Sequence, residues 1–485
     1  MELFNRKNNV AVIAGDPRKA VIFLFWPLLL TFMVVAVNTY LDSFWVAQLG
    51  VDATSAVNAM TDIYGCIAAV GAGMGVACAA AISFHLGDNN IKRAESLAAH
   101  SIIISLILSL ILGILFYYLI DPFIELLELH DVREMCYEYI MPLIWCNAAL
   151  LVNGALCGVL RAEGATFRTT IASFLTMGSI VLNPLFIIEL NMGVAGASWG
   201  TVVSTFISTA YLVYVFKTKK NSINVSFRGF KPDLQVIKEL LFISVPYGVQ
   251  NSLRKLAGVV DKGIIMFIVG STMGTAAIAV FSLPWTYVRV MECLGLAFGA
   301  ALIPVVSYNM GKRDRAKADA AIKFTAKISM TVSLGLSVLI FFFAGPLMWI
   351  LTTDQSFEEN EELMTQILMI LAFVCPLYTI RDVAFNFLQT MRKNNLCVII
   401  TFGQTILKLY LMYIGGVMFG PLHMVIFNVI GQYIGGLFTC ILAQYYWRKM
   451  DLNKLEVTKR QERVIKTLHE MNENLEKEKE KTTKV

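Results

Sequence analysis

Asp42 is a carboxylate set inside a long apolar stretch, VIFLFWPLLLTFMVVAVNTYLDSFWVAQLG (21–50), where a charge needs a reason. Thr31, Asn38 and Asp42 are spaced seven and four apart, which places them on one face of a helix. An ionised Asp near the centre of a membrane helix costs about 2.5–3.5 kcal/mol on insertion scales, so such residues usually face a cavity and mark an ion or proton pathway. The competing reading is an Asp that hydrogen-bonds a neighbouring helix to fix packing. A second concentration of charge lies later in the chain: Arg254, Lys255, Asp261, Lys262, Arg289, Glu292, Arg381, Asp382 and Lys408, six basic residues against three acidic. Arg289 and Glu292, three apart, can pair on a helix, and an internal ion-pair network accounts for part of the set. The positive surplus leaves room for an anionic or zwitterionic ligand. Asn38, Arg254, Asp261, Arg289, Glu292, Asp382 and Lys408 are therefore the candidate lining of a substrate cavity.

Enzymatic chemistry finds no support. The chain has no Walker A sequence, no H-E-x-x-H and no Gly-rich phosphate loop after a strand. Its nine cysteines lie singly in or beside apolar segments without metal-like C-x-x-C spacing, and they read as small core residues. Neither a cofactor, a metal nor a nucleic acid is expected.

The elements that must position these residues are membrane helices. The chain of 485 residues is 57% hydrophobic and only 15% charged, with a mean hydropathy of +0.65, too apolar for an ordinary soluble protein. Thirty helical residues span about 45 Å, enough to cross a hydrocarbon core of about 30 Å with tilt. Because apolar runs continue to Trp447, the first segment is expected to stay rather than be cleaved. Twelve segments are expected, at 20–49, 54–84, 97–120, 135–160, 168–190, 194–216, 240–269, 275–308, 323–351, 364–389, 396–418 and 421–447. Alternate connections collect Lys and Arg on one side, from Arg18 and Lys19 through Lys312 and Arg313 to Arg448. The other side collects acids such as Asp52, Asp121, Glu128, Asp354, Glu358 and Glu359. By the positive-inside rule both termini are expected in the cytoplasm of a plasma-membrane protein.

The basic connection KTKKNSINVSFRGFKPD (217–233) divides the segments into two sets of six that resemble each other. Pro27 precedes Asp42 by fifteen residues and Pro246 precedes Asp261 by fifteen; HLGDNNIKRAESLAAHS (85–101) matches NMGKRDRAKADAAIKFT (309–325), shifted by 224. Parallel repeats of this kind imply two pseudo-symmetric lobes about an axis along the membrane normal, with a substrate cavity between them. The expected division is an N-terminal lobe at 20–216, a cytoplasmic linker at 217–239, a C-terminal lobe at 240–447 and a charged cytoplasmic tail at 448–485. In that tail Val464, Leu468, Met471 and Leu475 form a thin apolar stripe at helical spacing. Small residues in GAGMGVACAAAIS (71–83) serve close packing.

Three stretches, VNTYLDSFWVAQLG (37–50), LRAEGATFRTTIASF (160–174) and NPLFIIELNMGVAGASWGTVVS (183–204), resemble the multidrug and toxic compound extrusion (MATE) family of secondary antiporters, and the resemblance extends over 20–447. It implies an all-α, twelve-helix transporter that exports amphipathic organic compounds against H⁺ or Na⁺, as a monomer in the lipid bilayer. It also implies a cation or proton site at Asp42, Ser179, Asn183, Thr201 and the carbonyl of Ala197. The fifth segment reads GSIVLNPLF, with Ser179 and Asn183 where the family often has Asn and Asp, so one carboxylate is left instead of two. A hydroxyl, an amide and a carbonyl beside it suit a monovalent cation, and a single Asp suits a proton cycle. The alternative function is a flippase for a lipid-linked saccharide or another anionic amphiphile.

Overall fold

Apolar runs with no water to satisfy their backbone must hydrogen-bond internally, and helices are the local solution. The computed structural model describes residues 6–126, 129–218, 221–227, 230–273, 276–351 and 360–452; among these no strand occurs. A short helix α1 (Arg6–Ala14), unforeseen from the sequence, precedes the first long one. The first six segments become α2 (Pro17–Ala47), α3 (Val51–Gly87), α4 (Ile91–Leu126), α5 (Arg133–Trp145) with α6 (Asn147–Ala162), α7 (Thr166–Thr176) with α8 (Ser179–Pro184), and α9 (Gly193–Lys217). The second six are α10 (Leu234–Met273), α11 (Ala276–Ser282) with α12 (Trp285–Gly311), α13 (Arg315–Phe342) with α14 (Ala344–Leu351), α15 (Glu361–Ala372) with α16 (Cys375–Thr390), α17 (Asn394–Phe419) and α18 (Pro421–Lys449). Among the described residues, nine spans are long and apolar enough to cross a membrane as they stand, and the bent pairs α5/α6 and α15/α16 supply two more. The twelfth is α10, forty residues long, with Lys238, Glu239, Arg254, Lys255, Asp261 and Lys262 along its length.

The two sets of six share backbone detail. Asn89 and Arg313, 224 apart, both turn through positive φ (57° and 59°), as do Gly164 and Arg392 (82° and 58°) and Gly193 and Gly420 (55° and 98°). The fourth span of each set is bent alike, by 48° in α5/α6 and 43° in α15/α16.

Large apolar side chains face outward, among them Trp26, Leu110, Phe342 and Ile399, while serines and threonines are buried. On α13, Ser329, Ser333 and Ser337 recur every four residues on the buried face. Ser333 Oγ donates to the Ser329 carbonyl and Ser337 Oγ to the Ser333 carbonyl, so both hydroxyls are satisfied within the helix. Apolar packing persists inside the first set, where Met60, Ile63 and Ile67 of α3 join Ile120 and Ile124 of α4 and Ile140 of α5.

α3 packs most extensively on α10, α6 and α12, and α12 also on α2 and α16, so the halves meet along α2, α3, α10 and α12. At the basic end the meeting is tight. A Cβ on Gly87 would come 2.0 Å from the Tyr308 carbonyl oxygen, and one on Gly311, 224 residues later, 2.1 Å from that of Phe84. Around these glycines Arg313 pairs with Asp88 at 2.7 Å, and Glu239 of α10 gathers Arg392 (2.5 Å), His85 (3.3 Å) and Arg93 (3.7 Å).

Described residues of the connection 217–233 are held by the first set. Glu163, fully buried, accepts from the backbone N–H groups of Ser222 (2.7 Å) and Ile223 (3.3 Å); Arg168 donates to Asn221, and Asp233 pairs with Arg93 at 2.6 Å. Two compact units are distinguished, Met1–Gln444 and Tyr445–Val485. The second carries the last turn of α18; residues 453–485, with the stripe at Val464, Leu468, Met471 and Leu475, lie outside the described residues. So do Glu128, Asp354, Glu358 and Glu359 of the acidic side.

Candidate functional site

The fifth span is broken where its polar residues sit. α7 ends at Thr176, α8 begins at Ser179, and Pro184, which has no N–H, is followed by one π-helical turn (Leu185–Glu189). The break turns Ser179 and Asn183, both fully buried, toward α2. Asp42 accepts from Asn183 Nδ2 at 2.7 Å through Oδ1 and from Asn38 Nδ2 at 2.8 Å through Oδ2. The Ser179 hydroxyl donates to Asn38 Oδ1 at 2.9 Å and lies 3.4 Å from Asp42 Oδ1. Three uncharged groups thus cradle a single carboxylate.

Asn183 Oδ1 is buried and has no hydrogen-bond partner among the described residues. It lies against Gly200 of α9, where a Cβ would come 2.0 Å from it. Thr201, the next residue, donates to the Ala197 carbonyl at 3.2 Å, so these two are joined to each other and no hydrogen bond links them to Asp42. Tyr64 of α3 and Tyr139 of α5 lie within electrostatic reach of Asp42, and Tyr139 Oη is 3.4 Å from Thr61 Oγ1. Neither tyrosine stands out in the sequence. Thr31 shares the helical face but not the site: it donates to the Pro27 carbonyl (2.9 Å) and meets Thr170 (3.0 Å). Among the described residues no group of three His, Cys, Asp or Glu could hold a metal. The donor set fits a proton or a small monovalent cation.

A cavity of about 630 Å³ lies between α3, α10, α12, α16, α17 and α18. Its lining combines the small residues Gly65, Ala68, Ala69 and Ala72 of α3 with Arg254, Lys255, Asp261, Lys262, Arg289, Glu292, Arg381 and Lys408. Lys408 Nζ reaches Asp261 Oδ2 at 2.6 Å. Arg381, with its guanidinium 4.0 Å from the Tyr378 ring centre, holds Asp382 at 2.9 Å and Glu292 at 3.8 Å, while Arg254 is 3.8 Å from Asp382. Arg289 and Glu292, which could pair at their spacing, form no ion pair within 4.0 Å; the cation at that carboxylate is Arg381 from α16. Asp382 is buried just beyond the cavity wall, and Asn38 belongs to the Asp42 cluster instead of this lining. Asp261 Oδ1 and Asp382 Oδ2 are buried without a partner, each on a carboxylate whose other oxygen is held by a cation. The cavity lies within the usual size range for small-molecule sites.

Comparison with known proteins supplies the family. The model of the family described as MatE matches residues 27–186 and 261–414, one stretch in each set of six. The chain is 23% identical over 309 residues to the multidrug export protein MepA of Staphylococcus haemolyticus, covering 62% of this chain and 67% of that one. It is 22% identical over 363 residues to a FAD transporter of Shewanella oneidensis, covering 73% and 78%. Among solved structures, a MOP superfamily transporter from Pyrococcus furiosus superposes with a TM-score of 0.85 at 24% identity, covering 92% of this chain and 99% of the other. With the matched stretches spanning both halves of an all-α bundle, the chain belongs to the MATE family of membrane transporters and is not an enzyme.

Proposed function

We propose that this chain is a secondary active antiporter of the plasma membrane that exports amphipathic organic compounds in exchange for H⁺ or Na⁺. The observation that carries the reading is the lone Asp42 carboxylate, hydrogen-bonded by Asn38 and Asn183 beside an unsatisfied amide oxygen. Such a group gains from a cation or proton in one state and loses it in another, which is what coupling requires. The similarity to a multidrug export protein supports export as the direction.

In this reading the helices before and after residues 217–239 act as two lobes that rock about the α2/α3 and α10/α12 seam, with Asp42 in one lobe and the charged cavity against the other. The basic end, clasped at Gly87, Gly311 and Glu239, is then the cytoplasmic end, and the arrangement is closed to the cytoplasm. Inside-out vesicles test the proposal. Imposing an outward-directed H⁺ or Na⁺ gradient across them, high in the lumen, should drive accumulation of a soluble organic compound above that of vesicles lacking the protein. No accumulation under either gradient contradicts it. The positive surplus in the cavity favours a second reading, a flippase for an anionic amphiphile, under which lipid-linked anions move and soluble compounds do not.

A further inference from the structure

The charges around the 630 Å³ cavity do not cancel. Asp261 is matched by Lys408, and Asp382 and Glu292 are matched by Arg381 and Arg254, so three carboxylates meet three cations. Lys255, Lys262 and Arg289 line the same cavity and, among the described residues, have no carboxylate within the 4.0 Å of an ion pair. Lys255 and Lys262, seven residues apart, share a face of α10, and Arg289 reaches in from α12. All three are exposed, and their side chains are free to meet a ligand.

Unpaired like charges on a cavity with low-dielectric walls raise its potential, concentrate anions and repel cations. The α3 residues that line it, Gly65, Ala68, Ala69 and Ala72, are small and uncharged, and Trp285 and Tyr378 add aromatic faces. The cavity therefore offers both flat apolar contact and cations. We infer that the cavity's ligand is an organic anion: an aromatic body bearing phosphate, sulfonate or carboxylate groups that Lys255, Lys262 and Arg289 bind. This rests on the antiporter reading and names its substrate class. A charge-assisted hydrogen bond from each of these residues would supply specificity, with the guanidinium of Arg289 able to grip two oxygens at once.

Equilibrium dialysis of the purified full chain tests the assignment with two probes, pyranine, an aromatic trisulfonate, and ethidium, an aromatic cation. Pyranine should bind at least about tenfold more tightly than ethidium at low salt, and its affinity should fall as salt is raised. The combined change Lys255→Gln, Lys262→Gln and Arg289→Gln should weaken pyranine by about tenfold or more. Lys255→Arg, Lys262→Arg and Arg289→Lys, which keep the charge, should leave it bound. Ethidium binding as tightly as pyranine, full pyranine affinity in the neutralised variant, or no binding of either probe overturns the inference. Transport separates it from the reading beneath it: gradient-driven movement of ethidium alone overturns the anion assignment and leaves the antiporter standing. Pyranine binding without gradient-driven movement of any solute leaves the anion site standing and removes the antiporter.

Discussion

Asp42 is held by donors that are themselves held, and Gly200 is the residue on which that arrangement turns. With any side chain at position 200, Asn183 Oδ1 would have to move, because a Cβ there lies 2.0 Å away. Gly200→Ala should therefore displace the Asn183 amide from Asp42, lower the melting temperature by the equivalent of about 1–3 kcal/mol of overpacking, and reduce coupled transport. An alanine variant with unchanged stability and transport would show that Asn183 is not a necessary partner. The sequence discloses this site unevenly. Asn38 and Asp42 are legible from their spacing alone, since four residues on a helix bring them together, and the structure gives a 2.8 Å hydrogen bond. Ser179 and Asn183 come only through the family resemblance, because residues 137 and 141 positions away leave no local pattern. Tyr64, Tyr139 and Gly200 carry no signal at all: an aromatic or a glycine in an apolar run looks like packing until the neighbouring helix is in place.

At the scale of helices, the twelve spans are legible because hydropathy dominates their composition. What hydropathy misses is where they break, since α7 gives way to α8 and then to a π turn inside one apolar segment. The connection 217–233 reads as a basic cytoplasmic linker, yet Glu163 and Arg168, both buried, hold its residues Asn221, Ser222 and Ile223. The repeat, by contrast, is visible in sequence and has a mechanical counterpart. Gly87 and Gly311, 224 apart, each admit the backbone of the other half, and Phe84 lies under both Arg313 and Arg392. Gly87→Ala or Gly311→Ala should prise the two helices apart and destabilise the clasped end by about 1–3 kcal/mol. Hydrogen exchange should then quicken at 84–90 and 308–313 relative to the rest of α3 and α12. Unchanged exchange at both segments would mean that the close approach contributes nothing to holding that end shut.

For the molecule as a whole, two features sit in different halves: a lone carboxylate cradled by uncharged groups at α2 and α8, and a cavity of surplus positive charge on α10, α12, α16 and α17. An ion and an organic solute bound at separate places can be exchanged only if each prefers a different arrangement of the halves, and linkage makes that preference mutual. Under the proposed exchange, the seam of α2, α3, α10 and α12 is where such arrangements differ, and its clasped end belongs to one of them. The most direct test replaces Asp42 by Asn, which keeps the shape and the hydrogen-bonding length while removing the charge. In proteoliposomes of the full chain, with melting temperature no lower than that of the parent, Asp42→Asn should no longer move its solute against a gradient or respond to pH or Na⁺. If Asp42→Asn still concentrates solute with an unchanged ion dependence, Asp42 is a packing residue and coupling belongs to Asp261, Glu292 or Asp382.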